Sequence, residues 1–309
     1  MEELVLDFSL KMRFEEHSKE KCDQIGKAGL LTVQKEEIDI QNALALAERF
    51  TMAGRRALVT GGSVSIGREI VRVFAEAGAD VAVHFARDAD VAFGQPDAAA
   101  EAVREIRGKG RRGVAIDADF ARAGEAARCV QAAIEALGGV DVLVVCASIQ
   151  YRTPFLDLPT EQIEHQIQIN FKATIELLQA ALPSMKDNGW GRVLTIGSIN
   201  QTRPESDLAV YAALKSAQHN LSFNLAKDYA PHGVTINNLS PGLVVTERNR
   251  WRREDAAKWA EIQKGSAPMQ RAGEAREMAG AALLICSDAG SFITGADLQA
   301  TGGRHLGWQ

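Results

Sequence analysis

From Gly54 onward the chain alternates short apolar runs with longer segments of helical period, and that alternation leaves few folds open. RALVT (56–60), DVAVHFA (80–86), GVAIDAD (113–119), DVLVVCA (141–147), RVLTIGS (192–198), VTINNLS (234–240) and ADLQAT (296–301) read as strands. Their near-continuous Val, Leu and Ile implies burial on both faces, as in a parallel sheet with helices on each side. The segments between them carry helical spacing, as at Ile66, Ile70, Val73, Phe74 and Ala77. Right-handed crossovers then predict a doubly wound α/β architecture: a parallel β-sheet flanked by helices on both faces, a three-layer sandwich with its ligand beyond the carboxyl ends of the strands.

No repeat or second core is visible, so residues 54–309 are expected to form one catalytic-size domain. Before it, residues 1–53 read as a partly helical arm. VQKEEIDIQNALALAERF (33–50) is weakly amphipathic and offers a surface for a neighbouring subunit, although a solvated leader has the same composition.

Composition narrows the partners. With a net charge of -5 and no basic stripe interleaved with aromatics, the chain has no field for a phosphate backbone, so nucleic acid is excluded. Cys22, Cys129, Cys146 and Cys286 are widely spaced, which suggests neither a disulfide framework nor a metal site. The opening MEELVLDFSLKMRFEEHSKEK is acidic and unlike a signal peptide, and no apolar run reaches the roughly 18 residues of a membrane span. A cytoplasmic protein without membrane or metal is expected.

TGGSVSIGREI (60–70) lies where the first strand turns into the first helix. Backbone N–H groups and the positive end of the helix dipole face such a turn, so it is an anion site. Gly61 suits the tight turn and Gly67 a close approach of helix to sheet. Ser65 occupies a slot where a dinucleotide fold often has glycine; its side chain is expected to cap the helix or to bond a phosphate oxygen.

In the second half, YAALK places Tyr211 and Lys215 four residues apart on one helix face, and Ser198 ends a strand thirteen residues before Tyr211. Together with the turn at Thr60–Gly67, these residues resemble the single-domain branch of the short-chain dehydrogenase/reductase family, over roughly Gly54 to Gly303. Asn170 in QINFKAT matches that family's helix asparagine, NNLSPGLVVT (237–246) its Pro-Gly loop and ITGADLQATGG (293–303) its closing strand.

The resemblance implies a Rossmann fold and nicotinamide-dependent hydride transfer between a secondary alcohol and a ketone. A free tyrosine, with a pKa of about 10, is too weak a base at neutral pH. Lys215 is expected to favour the tyrosinate and to hold the nicotinamide ribose, so that Tyr211 serves as acid/base. Ser198 would bond the substrate oxygen, and Asn170 would hold a water linking Lys215 to solvent. By the same resemblance the cofactor is met by Gly61, Ser63, Ser65, Ile66, Gly67, Arg87, Asp119, Phe120, Cys146, Ala147, Ser148, Tyr211, Lys215, Pro241, Gly242, Val244 and Thr246.

Two departures stand out. VCAS (145–148) occupies the place of the family's Asn-Asn-Ala-Gly, which predicts a repacked sheet centre around Cys146; the other is Ser65. At the end of the second strand the acid typical of NAD-preferring relatives is missing at His84–Ala86, and Arg87 can meet a 2′-phosphate. NADP(H) is therefore favoured over NAD(H), against the proximity of Asp88 and Asp90.

For the substrate, Gln150 and Arg203 follow strands on the ligand side, beside Ser198 and Tyr211. Arg248, Arg250, Arg252 and Arg253 with Trp251 lie in the variable segment after Pro241, where they can pair with a carboxylate or sugar-like groups, or form a solvated face. A small polar substrate of 3-oxoacyl, sugar, polyol or hydroxy-acid type is expected. Apolar helix faces in 160–185 and 210–230 imply, by resemblance, a homotetramer, with a dimer as the alternative. Two other readings stay open: a non-catalytic dinucleotide-binding regulatory protein of the same fold, supported by VCAS, and a sugar-nucleotide epimerase or dehydratase, disfavoured because only RHLGWQ follows Gly303.

Overall fold

A computed structural model describes residues 41, 42 and 44–307 of the chain. The expected amino-terminal arm lies mostly outside them. Within it, residues 41–42 and 44–48 are helical and exposed, and the chain divides at Arg49–Phe50 into two units. Met52, inside the second unit, is fully buried and donates its N–H to the Ala77 carbonyl.

The seven apolar runs form one sheet: β1 (Arg56–Val59), β2 (Asp80–Phe85), β3 (Gly113–Asp117), β4 (Val142–Val145), β5 (Gly191–Ile196), β6 (Val234–Pro241) and, after a short β7–β8 pair (Val244–Val245 with Gly273–Glu274), β9 (Asp297–Ala300). Their order is β3-β2-β1-β4-β5-β6-β9, and every pairing is parallel. The fold is the expected Rossmann sheet.

Alternate side chains of each strand face opposite helical layers. Val59, Val83, Val144 and Leu194 pack with α1 (Ser65–Glu76), α3 (Ala98–Gly108) and α9 (Ala275–Cys286); α2 is the short helix Arg87–Ala92 and α8 is Ala256–Ser266. Leu58, Ala82, Leu143 and Val193 pack with α4 (Glu125–Leu137), α6 (Ala173–Asp187) and α7 (Ala209–Tyr229). The apolar positions expected of the first helix fall on its inner side, with Ile70 and Phe74 fully buried.

Strand order reverses between β1 and β4, and there the chain leaves both carboxyl ends in opposite directions, opening the crevice in which such sheets take ligands. At the other rim Arg56 forks onto Asp141, with Nε–Oδ2 at 2.8 Å and Nη2–Oδ1 at 2.6 Å, clamping β1 to β4. Among the described residues, no helix is long and apolar enough to cross a membrane, and no cluster of three or more His, Cys, Asp or Glu is arranged to hold a metal.

Candidate active site

A cleft of about 1490 Å³ runs across the carboxyl ends of the strands. Its walls include every expected cofactor residue except Lys215, and Ser198, Tyr211 and Gln150 as well.

At one end sits the glycine-rich turn. Gly61 has φ +62°, in the left-handed region that favours glycine. A Cβ on Gly67 would lie 2.0 Å from the Gly61 carbonyl oxygen, so helix and turn touch through bare backbone. The first N–H groups of α1 have no intrahelical acceptor, and the N-cap residue, Val64, offers them no side-chain cap. Ser63 turns to the buried Asp90, donating to Oδ1 at 2.8 Å.

Ser65 corrects the expectation of a cap. It is the first helical residue, with φ +54°, and its Oγ accepts from the N–H of Glu247 at 3.1 Å. The hydroxyl therefore joins the turn to the segment Glu247–Arg253, a stretch of 3₁₀ helix whose N-cap is Thr246. Ser148, the other side chain in a family glycine position, meets the same segment: Arg248 Nη2 donates to its carbonyl at 2.5 Å and its Oγ at 3.2 Å.

The backbone around Cys146 keeps regular sheet pairing. β4 keeps register with β1 and β5, and the Thr60 hydroxyl takes the N–H groups of Cys146 and Ala147 at 2.9 and 3.1 Å. The N–H of Gly67 reaches the Cys146 thiol, which burial pushes up to about 11, so the thiol stays protonated at neutral pH.

His84 is the residue that the sequence pattern missed. Its Nδ1 accepts from the Gly61 N–H at 3.0 Å while Nε2 donates to the Ala118 carbonyl at 2.9 Å, which fixes the neutral tautomer. Its ring stacks on Phe120 with centroids 4.0 Å apart. Burial pushes its pKa down to about 4. Because the unfolded imidazole titrates near 6.5, the unfolded chain binds the extra proton first. Stability is thus full above that pH and is lost as pH falls towards 4, by about 3 kcal/mol in all. Urea unfolding of the wild type and His84→Gln between pH 7 and 4 should show the steeper decline in the wild type; equal slopes would remove His84 from the pH dependence.

Just past the end of β2, Arg87 Nε donates to Asp117 Oδ2 at 3.0 Å, with its side chain 72% exposed. Asp119 accepts from the Ala121 N–H at 2.9 Å and lines the cleft.

At the other end, Tyr211 and Lys215 share the buried face of α7 with Gln218, and Lys215 Nζ lies 5.9 Å from the Tyr211 ring centroid. Lys215 is 1% exposed; its Nζ donates to the Ile196 carbonyl at 2.6 Å and to Gln218 Oε1 at 3.0 Å. Burial lowers its pKa to about 7. Gln218 Nε2 then donates to Thr174, whose hydroxyl donates to the Asn170 carbonyl. Gln218, three residues after Lys215, was visible in the sequence only as part of a helix.

Asn170 sits in a π-helical stretch, Gln168–Lys172, between α5 (Thr160–Ile167) and α6. Its side-chain amide bonds Ile149 twice, Oδ1 accepting the N–H and Nδ2 donating to the carbonyl, each at 2.8 Å. Ser198 ends β5's run, and its Oγ accepts from the Asn200 N–H at 3.1 Å.

Arg203 does not line the cleft. The 3₁₀ turn Ile199–Gln201 carries it outward, where it is exposed and its Nη2 reaches the His305 carbonyl at 3.4 Å. Of the arginine-rich segment, Arg248, Trp251 and Arg252 line the cleft and Arg250 and Arg253 do not.

A doubly wound sheet with a glycine-rich turn at its switch point and Tyr211 on the same cleft, with Lys215 buried behind it, defines a dinucleotide-binding oxidoreductase. A family model described as enoyl-(acyl carrier protein) reductase matches residues 61–305. L-Rhamnose 1-dehydrogenase (NAD(P)(+)) of Sphingomonas sp. (strain SKA58) is 31% identical over 84% of this chain and 99% of its own. The 7alpha-hydroxysteroid dehydrogenase of Escherichia coli (strain K12) is 31% identical over 83% of this chain and 96% of its own. The crystal structure of a 3-oxoacyl (acyl-carrier-protein) reductase from Agrobacterium tumefaciens C58 with NADP bound superposes with a TM-score of 0.78 at 40% identity, covering 84% of this chain and 97% of that one. The chain belongs to the short-chain dehydrogenase/reductase family, in its single-domain branch, and is an NAD(P)-dependent dehydrogenase acting on CH–OH groups.

Proposed function

We propose that the protein interconverts a secondary alcohol and a ketone on a small polar substrate, with Tyr211 as acid/base. The observation that carries this is the placement of Tyr211, Ser198 and the Gly61–Gly67 turn on one cleft, with Lys215 buried behind the tyrosine. The turn would hold the cofactor's pyrophosphate on bare backbone, and the absence of room for a Cβ on Gly67 fits that use. A bound nicotinamide supplies the hydride acceptor or donor.

The chain's own residues handle the proton. Tyr211 donates from its hydroxyl to the substrate oxygen in reduction and takes the proton back in oxidation. Ser198, whose Oγ already accepts from Asn200, keeps its hydrogen to donate to the same oxygen. The Ile196 carbonyl and Gln218 hold the Lys215 nitrogen in place beside the phenol ring. Gln218 and Thr174 form a holding chain rather than a proton relay, since a side-chain amide passes no proton without changing tautomer. Asn170 fixes the Ile149 backbone at the cleft wall.

NADP(H) is the favoured cofactor. Arg87 is exposed at the end of β2, and Asp90, which would repel a 2′-phosphate, turns towards Ser63. NAD(H) is the alternative, favoured by the buried Asp90 Oδ2, which has no partner among the described residues and can accept from a ribose hydroxyl. Arg87→Ala should raise KM for NADP by about tenfold, the loss of a hydrogen bond between charged groups, and leave KM for NAD nearly unchanged. An equal effect on both would refute the role of Arg87.

The same reading includes self-association in the cytoplasm, as a tetramer before a dimer, supported by Phe223 on α7 being 53% exposed. The function is tested by following nicotinamide absorbance with sugars, polyols, hydroxy acids and 3-oxoacyl thioesters. Turnover with at least one class is expected. Cofactor binding by fluorescence titration without turnover of any would favour the non-catalytic alternative.

A further inference from the structure

The substrate end of the cleft carries an unbalanced charge. Arg152, Arg248, Arg252 and Arg304 line it against Glu205 and Glu261. Arg152 is held by Glu205 and Asp207, each at 2.8 Å, and Arg304 reaches Glu205 at 3.7 Å. Arg248 is spent on the oxygens of Ser148.

Arg252 differs from these. It is half-buried, its Cζ lies 5.2 Å from the Trp251 ring centroid, and among the described residues no carboxylate comes within ion-pair distance of it. Burial lowers its pKa and the positive charges of Arg152 and Arg304 add to that, while the more distant carboxylates of Glu205 and Asp207 oppose the shift without reversing it. A guanidinium stays charged in such surroundings, so a partly desolvated cation here calls for an anion.

A second observation comes from the other wall. Asn200 is 6% exposed and lines the same cleft, and its N–H is bonded to Ser198 Oγ. Its Oδ1 is buried and has no partner among the described residues. An orphaned buried acceptor beside the proposed oxygen-binding serine is satisfied by a hydroxyl donor. Neutral sugars would answer Asn200 and leave Arg252 unanswered; a steroid's apolar rings would answer neither.

We propose that the substrate is a small polyhydroxy carboxylate, whose carboxylate group is taken by Arg252 and one of whose hydroxyls donates to Asn200 Oδ1. This rests on the hydride-transfer reading above for the position of the reacting carbon, but its recognition chemistry is measured by binding alone. The protein loaded with NADP⁺ is titrated calorimetrically with matched pairs, an aldonate against the corresponding alditol and a shorter dihydroxy acid against its triol. For at least one pair the carboxylate should bind about tenfold tighter or more, the scale of one charge-assisted bond. Arg252→Met should bring that ratio to about one, and Arg252→Lys should restore part of it. Equal affinities within every pair, or a preference that survives Arg252→Met, would overturn the proposal. Tyr211-dependent turnover of an uncharged alcohol alongside equal affinities would leave the oxidoreductase reading standing, whereas a carboxylate preference without turnover would leave the recognition standing.

Discussion

Replacing Tyr211 by phenylalanine should lower turnover by about a thousandfold, within the range supplied by a positioned acid/base, while cofactor affinity stays near that of the wild type. The separation follows from what the substitution removes. Tyr211 is 6% exposed, its ring packs at the start of α7 near Lys215, and no described hydrogen bond engages its hydroxyl. Phenylalanine therefore keeps the wall of the cleft and its packing. What it lacks is the single atom able to exchange a proton with the substrate oxygen. Ser198 remains to polarise that oxygen, so a residual rate is expected. Fluorescence titration of the cofactor and nicotinamide absorbance, measured on the same variant, check both halves; near-normal turnover would take Tyr211 out of the reaction.

The second large effect is expected at Gly67. Its backbone is not in the left-handed region, so the demand for glycine there is purely steric. An alanine Cβ would sit 2.0 Å from the Gly61 oxygen, 2.7 Å from its carbonyl carbon and 3.0 Å from the Gly62 Cα, all of them main-chain atoms. Neither side can yield cheaply. The turn is held by His84 on the Gly61 N–H, and α1 is held by Ile70 and Phe74, both fully buried. Overpacking of this kind costs about 3 kcal/mol. Displacing the turn by about 1 Å should weaken the cofactor about a hundredfold, because positioned contacts fail together. Gly67→Ala should thus lower the urea midpoint and the cofactor affinity at once; wild-type affinity in this variant would mean that the cofactor does not use the turn.

How much of this could be read beforehand depended on distance along the chain. The seven strands were legible because two-sided burial writes itself as unbroken Val, Leu and Ile, and the ends of each observed strand fall within two residues of its expected run. The Tyr211–Lys215 face was legible because four residues make about one helical turn. Side-chain partners far apart in sequence were not. At His84 the sequence shows only the lack of an acid, since its two bonds join Gly61 and Ala118 through the parallel registers of β1, β2 and β3. Asn200's orphaned oxygen exists only because the chain after β5 coils tightly. Arg203 follows β5 as expected, yet the same coil takes it away from the cleft. The π-helical stretch at Asn170 has no local signature, and the distant helix it packs against is α7, some forty residues further along the chain.

Ser65 and Glu247, 182 residues apart in sequence, meet through one hydroxyl. Anyone seeking to retarget this chain by transplanting a relative's variable segment therefore has a mooring to preserve as well as a lining to redesign. A graft with proline at position 247 presents no N–H to that mooring, however well its side chains suit the new ligand. Under the proposed function, the coenzyme turn and the substrate segment are coupled through this one serine hydroxyl.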